Sequence, residues 1–138
     1  MIKPLIADTG VIVAFLDKRD SWNAWTNEQM RHLPIPFLTC EAVIVEACFL
    51  LAHLQAGKEN VLKLVSSGVL QIDFSLQKEI ETIEKLTKKY ADVPMDFADA
   101  CLVRMSETVK DSVVFTTDSD FHIYRKNGKQ KISLIIPK

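Results

Sequence analysis

Leu5-Ile6-Ala7-Asp8-Thr9-Gly10, running into the apolar residues 11–16, is the stretch on which the fold turns. A short apolar run stops at an acid, and an apolar segment of helical length follows. That is a strand, a carboxylate at its end, and a helix. The pattern returns late in the chain, where Val113-Val114-Phe115-Thr116-Thr117 leads into Asp118. Two strands that each end in an acid are expected to belong to one parallel sheet, with both acids at the same edge.

Between them the segments alternate in type. Helices are expected at 11–16, at 21–32 capped by Asp20 or Ser21, and from Thr39 to about residue 55, where Gly57 stops the chain. Further helices are expected at 58–66, at 76–90 behind the cap Ser75, and at 95–109 behind Pro94. Strands are expected at 37–38, 69–74, 113–116 and 132–136. The helix after Ser75 carries Ile80, Ile83 and Leu86 on one stripe, and its acids Glu79, Glu81 and Glu84 can pair with lysines on the same helix. Strands alternating with helices give an α/β sandwich around a mainly parallel sheet. In such sheets ligands bind outside the carboxyl ends of the strands.

The chain has 138 residues, so one domain over residues 1–138 is expected. Hydrophobic residues make up 48% and charged residues 25%, the mix of an ordinary globule. The net charge of −1 gives no sign of a broad polyanion-binding surface, and contact with a short single strand needs none. No uncharged apolar run approaches a membrane span, and an acid stands too early for a signal peptide. Cys40, Cys48 and Cys101 form no C-x-x-C pair and sit among apolar residues. They read as free thiols of a reducing compartment, which suggests a cytoplasmic location.

Four acids resist a surface reading. Asp8 and Asp118 end strands, although each can also cap the helix that follows. Glu46 lies in Ala42-Val43-Ile44-Val45-Glu46-Ala47-Cys48-Phe49-Leu50-Leu51, apolar nearly all round and so expected to be buried on most sides. An unpaired carboxylate there costs on the order of several kcal/mol and needs a partner or a cation. Asp99 follows Asp96 by three residues on one helix face, with no cation on that helix before Arg104. Asp96 alone is explained by the helix dipole. Carboxylate-only clusters suit hard cations such as Mg²⁺ or Mn²⁺. His32, His53 and His122 lack ligand spacing, so zinc is poorly supported.

The order Asp8-Thr9-Gly10, Glu46, Asp96-Phe97-Ala98-Asp99-Ala100 and Thr116-Thr117-Asp118-Ser119-Asp120-Phe121 resembles the PIN-domain family, and more narrowly its VapC-type toxins. The resemblance covers nearly the whole chain. It implies a three-layer α/β/α sandwich with a mainly parallel sheet, and a divalent-metal-dependent endoribonuclease. It implies Asp8, Glu46, Asp99 and Asp118 as the catalytic, metal-binding quartet, and Mg²⁺ or Mn²⁺ as cofactor. Asp96 matches an extra acid of one subgroup. Thr9 and Thr116 match supporting hydroxyls, and Asp120 accompanies the last motif. The partners implied are RNA, a cognate antitoxin that brings a basic or aromatic side chain to the acidic pocket, and a second copy of the chain. Residues 22–37 and 49–54 offer apolar surface for a homodimer.

Arg125, Lys126, Lys129 and Lys131 follow the last motif and can grip phosphates; a solvated turn at Asn127-Gly128 is the plainer reading. Trp22, Trp25 and Phe37 either stack bases or pack on the core. Two other functions are open. An Asp-nucleophile phosphatase would need a second acid where Gly10 stands, and a phosphoacceptor would need a lysine that Thr116-Thr117-Asp118 lacks. A non-catalytic interaction module would keep the fold without needing the acids.

Overall fold

The computed structural model describes residues 2–138. The chain opens with β1 (Leu5–Ala7), α1 (Thr9–Leu16), α2 (Asn23–His32), β2 (Phe37–Thr39), α3 (Glu41–Leu50), α4 (Gly57–Ser66) and β3 (Leu70–Ile72). It continues through α5 (Leu76–Lys89), α6 (Phe97–Thr108), β4 (Val113–Phe115), a 3-10 turn (Ser119–His122), β5 (Arg125–Lys126), β6 (Gln130–Lys131) and β7 (Leu134–Ile135). Five strands pair in parallel in the order β3-β2-β1-β4-β7. Strands β5 and β6 form a separate antiparallel hairpin. Helix α1 packs on α2, α3 and α4, while α5 packs on α6, which also touches β1 and β4. The result is a three-layer α/β/α sandwich, as expected.

The strand order positions the site. The chain runs outward from β1 through β2 to β3, then returns to β4 on the other side of β1. Leu5, Ile6 and Ala7 register with Val113, Val114 and Phe115. The residues following both strands therefore emerge side by side at the switch point, where such sheets bind ligands. Gly10 lets α1 start close by, because a Cβ there would collide with the Thr117 hydroxyl.

The core centres on aromatic contacts under α2. The Phe115 ring lies 5.8 Å from Phe37 and 5.7 Å from Trp25. Full burial of a side chain such as Phe115 is worth about 1.5–3 kcal/mol. Phe37 is thus core packing and Trp25 packs half-buried against it, while Trp22 and Ile35 are the exposed large hydrophobics among residues 22–37.

Other expectations change in detail. Helix α3 stops at Leu50, because the chain turns there and reaches Gly57 through Ala56 at φ 61°. Gly57 begins α4, and a Cβ at that position would strike the Leu51 carbonyl. Thr39 is not the cap of α3. It ends β2 and donates its hydroxyl to the Ala7 carbonyl at 3.0 Å. Helix α6 starts at Phe97, because Asp96 is its cap and accepts from the Asp99 amide at 2.8 Å. Helix α3 is not buried on most sides. Val43, Ile44 and Ala47 face the core, whereas Val45 is 68% and Phe49 77% exposed. On α5, Glu79 pairs not with a lysine of its own helix but with Arg104 of α6 at 2.6 Å. All three cysteines are free thiols, with Cys40 and Cys101 buried and Cys48 half-buried. Among the described residues no helix is long and apolar enough to cross a membrane.

Candidate functional site

Asp8 follows β1 directly and is buried, with 4% of its surface exposed. Its Oδ1 accepts from the Thr9 amide at 2.7 Å, so it does cap α1. Its Oδ2 accepts from the Thr116 hydroxyl at 2.6 Å. That same hydroxyl oxygen accepts from the Asp118 amide at 2.9 Å. Thr116 thus ties the ends of β1 and β4 together through one oxygen. Asp118 then turns the chain, its Oδ1 accepting from the Asp120 amide at 2.9 Å. Capping explains one lone pair of each carboxylate. An ionised carboxylate offers about four acceptor sites, so capping leaves capacity for another ligand.

Asp99 lies in the first turn of α6 and is 7% exposed. Its Oδ2 accepts from the Tyr124 hydroxyl at 2.9 Å. Asp96 is exposed at the helix cap, and Glu46 reaches in half-buried from α3. Glu46 and Asp96 line one groove together with Ala42, Val45, Phe49, Phe97 and Ala98. Thr9 is buried beside Glu46, its hydroxyl without a partner at hydrogen-bond geometry yet near enough to favour the ionised Glu46.

These carboxylates sense one another. Burial pushes Asp8 up to about 6, against the hydrogen bonds of Thr116 and Thr9, and the charges of Asp118 and Glu46 add to the rise. Burial, then the Asp96 charge, pushes Asp99 up to about 8 despite the bond from Tyr124, with Asp8 and Asp118 contributing. Glu46 is raised by burial and by Asp96 and Asp118. Asp118 is raised by burial and by Asp120 and Asp96, against its bond from the Asp120 amide. Among the described residues no cation pairs with them. Arg104, next along α6, is bound to Glu79 and Glu107 at 2.6 and 3.1 Å.

The acids singled out in the sequence are therefore gathered at one edge of the sheet. They do not form a ready-made chelate: among the described residues no group of three or more His, Cys, Asp or Glu side chains is arranged to hold a metal ion. The donor set nevertheless fits a hard divalent cation. Every donor is a carboxylate or hydroxyl oxygen, and the Thr9 hydroxyl is buried and unsatisfied beside them. Two of the histidines lie in other contacts, His32 on Glu28 and His53 on Asp17.

The basic segment forms the β5–β6 hairpin, with Asn127 and Gly128 at positive φ in its turn. It is docked on the helices through the Lys89 ammonium on the Gly128 carbonyl at 3.1 Å and the Asn127 amide on Glu107 at 2.7 Å. One nitrogen of the Arg125 guanidinium donates to the carbonyls of His122, Ile123 and Tyr124. Much of Arg125 thus closes the 3-10 turn, whereas Lys129 and Lys131 stand exposed. Tyr124 is the residue that sequence reasoning missed. A tyrosine after an acidic turn carries no signal of its own, and only the fold brings its hydroxyl to Asp99.

No individual curated protein matches the chain significantly. Residues 5–127 match the family model of the PIN domain, a fold that is generally a nuclease and commonly uses divalent metal ions, so the chain belongs to the PIN domain family.

Proposed function

We propose that this PIN domain is a metal-dependent endoribonuclease, the toxin of a type II toxin–antitoxin pair of the VapC kind, acting in the cytoplasm as one domain over residues 1–138. The observation that carries the reading is the carboxylate cluster at the switch point, which the fold assembles without one neutralising cation.

Asp8 and Asp99 are the direct ligands in this reading, and Asp118 and Glu46 bind directly or through water, or orient the attacking water. Mg²⁺ or Mn²⁺, bound there, supplies Lewis acidity, a more acidic water and in-line alignment of the reacting oxygens. The chain's own part is positional. Thr116 fixes Asp8 and the start of the Asp118 turn. Thr9 stands beside Glu46, Asp96 sets the first turn of α6, and Asp120 completes the 3-10 turn. Burial of Asp8 and Asp99 excludes water from one side of the cluster. Lys126, Lys129 and Lys131, with the remaining nitrogens of Arg125, would hold substrate phosphates away from the acids.

The exposed Val45, Phe49, Leu50 and Phe97 support a homodimer, since apolar side chains this open mark a partner surface. The adjoining acids suit an antitoxin that brings a cation. The Asp-nucleophile alternative is weakened by Gly10, where a phosphatase would need a second acid, and by the absence of a lysine in residues 116–118. The non-catalytic alternative leaves the cost of the unrelieved acids unexplained.

The test is cleavage of single-stranded RNA by purified protein. We expect cutting with Mg²⁺ or Mn²⁺, none in excess chelator, and none by Asp8→Ala. Cleavage that persists in chelator, or at the wild-type rate in Asp8→Ala, refutes the reading.

A further inference from the structure

Tyr124 is fully buried, and its ring is fixed on two sides. The Tyr90 and Phe121 rings meet it edge-on, with centroids at 5.3 and 5.1 Å. Its hydroxyl sits between two acceptors, Asp99 Oδ2 at 2.9 Å and the Pro94 carbonyl at 2.8 Å. A phenol carries one proton. It cannot satisfy both acceptors at once, and the carbonyl alone would be enough for a buried tyrosine with a polar tip. The second acceptor is a carboxylate that has no ion-pair partner among the described residues. A hydrogen bond to an ionised acceptor is about twice as strong as one to a neutral carbonyl, so when Asp99 is ionised, as a metal ligand must be, the Tyr124 hydroxyl donates to Asp99 Oδ2 in preference to the Pro94 carbonyl.

We propose that Tyr124 is a positioning residue of the metal site: its hydroxyl fixes Asp99 through Oδ2 and so presents Oδ1 to a divalent cation. The inference rests on the metal-site reading above. The orientation is imposed from outside α6, because Tyr124 lies beyond the 3-10 turn that Asp118 begins. The Asp118 turn and the Asp99 helix are thereby held to each other by one side chain. Directly after it, the Arg125 amide donates to the Tyr90 hydroxyl at 2.9 Å, so the hairpin cannot shift without moving this ring. Partners that orient metal ligands in this way typically govern about 10- to 100-fold in metal affinity.

The experiment measures Mn²⁺ binding by electron paramagnetic resonance and thermal stability on wild type, Tyr124→Phe and Tyr90→Phe. Tyr124→Phe keeps the ring and removes the hydroxyl. It is expected to weaken Mn²⁺ binding about 10- to 100-fold. Tyr90→Phe also deletes a buried hydrogen bond but not one to Asp99, and it should lower the melting temperature while leaving Mn²⁺ affinity at the wild-type value. Wild-type Mn²⁺ affinity in Tyr124→Phe overturns this inference and leaves the metal site standing. A wild type that binds no Mn²⁺ overturns both.

A second measurement holds if Tyr124→Phe does not fold. The chain has two tyrosines, so 3-fluorotyrosine labelling gives two fluorine resonances, which Tyr90→Phe assigns. Mg²⁺ titration should move the Tyr124 resonance with the midpoint of metal binding and leave that of Tyr90 nearly still. A stationary Tyr124 resonance under saturating Mg²⁺ counts against the proposal.

Discussion

A set of carboxylates gathers at each end of helix α6, drawn from several elements, and the fold treats the two sets in opposite ways. Toward the carboxyl end Glu79 and Glu107 share Arg104, with contacts of 2.6 and 3.1 Å. Toward the amino end Asp96 and Asp99 meet Asp8, Glu46 and Asp118, and none of them has an ion-pair partner among the described residues. The first set is how a protein makes buried acids tolerable. The second set costs stability, and a chain keeps such a cost where function requires it. The contrast fits the proposed role of the second set as metal ligands.

The largest effect should follow from neutralising the unrelieved set. Asp99→Asn is expected to lower RNA cleavage by more than about 100-fold, beyond what loss of a supporting partner costs. Its effect on the apo fold should have the opposite sign. Asp99 titrates near 8 when folded, above its ordinary value of 3.8, so the folded state holds the proton more tightly. Stability is then greatest at low pH as far as Asp99 is concerned. The penalty grows as pH rises from about 4 and is complete above about 8. Asp8, titrating near 6, adds a smaller penalty that is complete above about 6. The apo wild type should therefore lose stability between pH 5 and pH 9, and Asp99→Asn should lose less. At pH 8 the variant should be more stable by on the order of 1–3 kcal/mol, after discounting for coupling among the acids. Urea unfolding at several pH values measures this. A clear loss of apo stability in Asp99→Asn would place Asp99 with the structural acids.

The opposite end of α6 should respond in the opposite sense. Arg104→Met leaves Glu107 buried and Glu79 partly buried without their cation. Breaking a fully buried pair costs about 3–5 kcal/mol. With Arg104 itself 27% exposed, a loss of about 1–3 kcal/mol is expected. Mn²⁺ affinity should not change, because no group of the cluster touches Arg104. A fall in both stability and metal affinity would show that the two sets are coupled along the helix and would blur the distinction.

Much of this arrangement was legible before any coordinates. Asp8 and Asp118 announced themselves because a strand that stops at an acid is a short, local pattern. Asp99 did so because apolar neighbours and the absence of a nearby cation are visible along one helix. Local patterns also misled. Thr39 has the chemistry of a cap, but the neighbouring strand end offers its hydroxyl the Ala7 carbonyl instead. The apolar run of α3 reads as burial, yet Val45 and Phe49 face outward, since sequence does not distinguish a core from an unpartnered surface. Glu79 looked like a partner for lysines one turn away, and a guanidinium from the next helix reached it first. Tyr124 was not legible, because its meaning lies in a contact spanning 25 residues.

The smallest effect concerns the third charged region, the β5–β6 hairpin, whose exposed lysines form no ion pair among the described residues. Lys131 is exposed on β6, opposite Arg125. An exposed lysine that meets a phosphate contributes mainly by releasing a counterion. Lys131→Ala should therefore weaken RNA binding only modestly and reduce the slope of log affinity against log salt by about 0.7, the value for one single-strand phosphate contact. Cleavage at saturating RNA and Mn²⁺ affinity should stay at wild-type values, because the substitution is remote from the carboxylates. Arg125→Ala should behave differently. That guanidinium also binds three backbone carbonyls that close the turn beneath Tyr124, so its removal should lower stability as well as RNA affinity. Fluorescence anisotropy with a labelled single strand at several salt concentrations separates the cases. An unchanged salt slope in Lys131→Ala would mean that RNA does not cross the hairpin, and the phosphate grip would then have to be sought on another face.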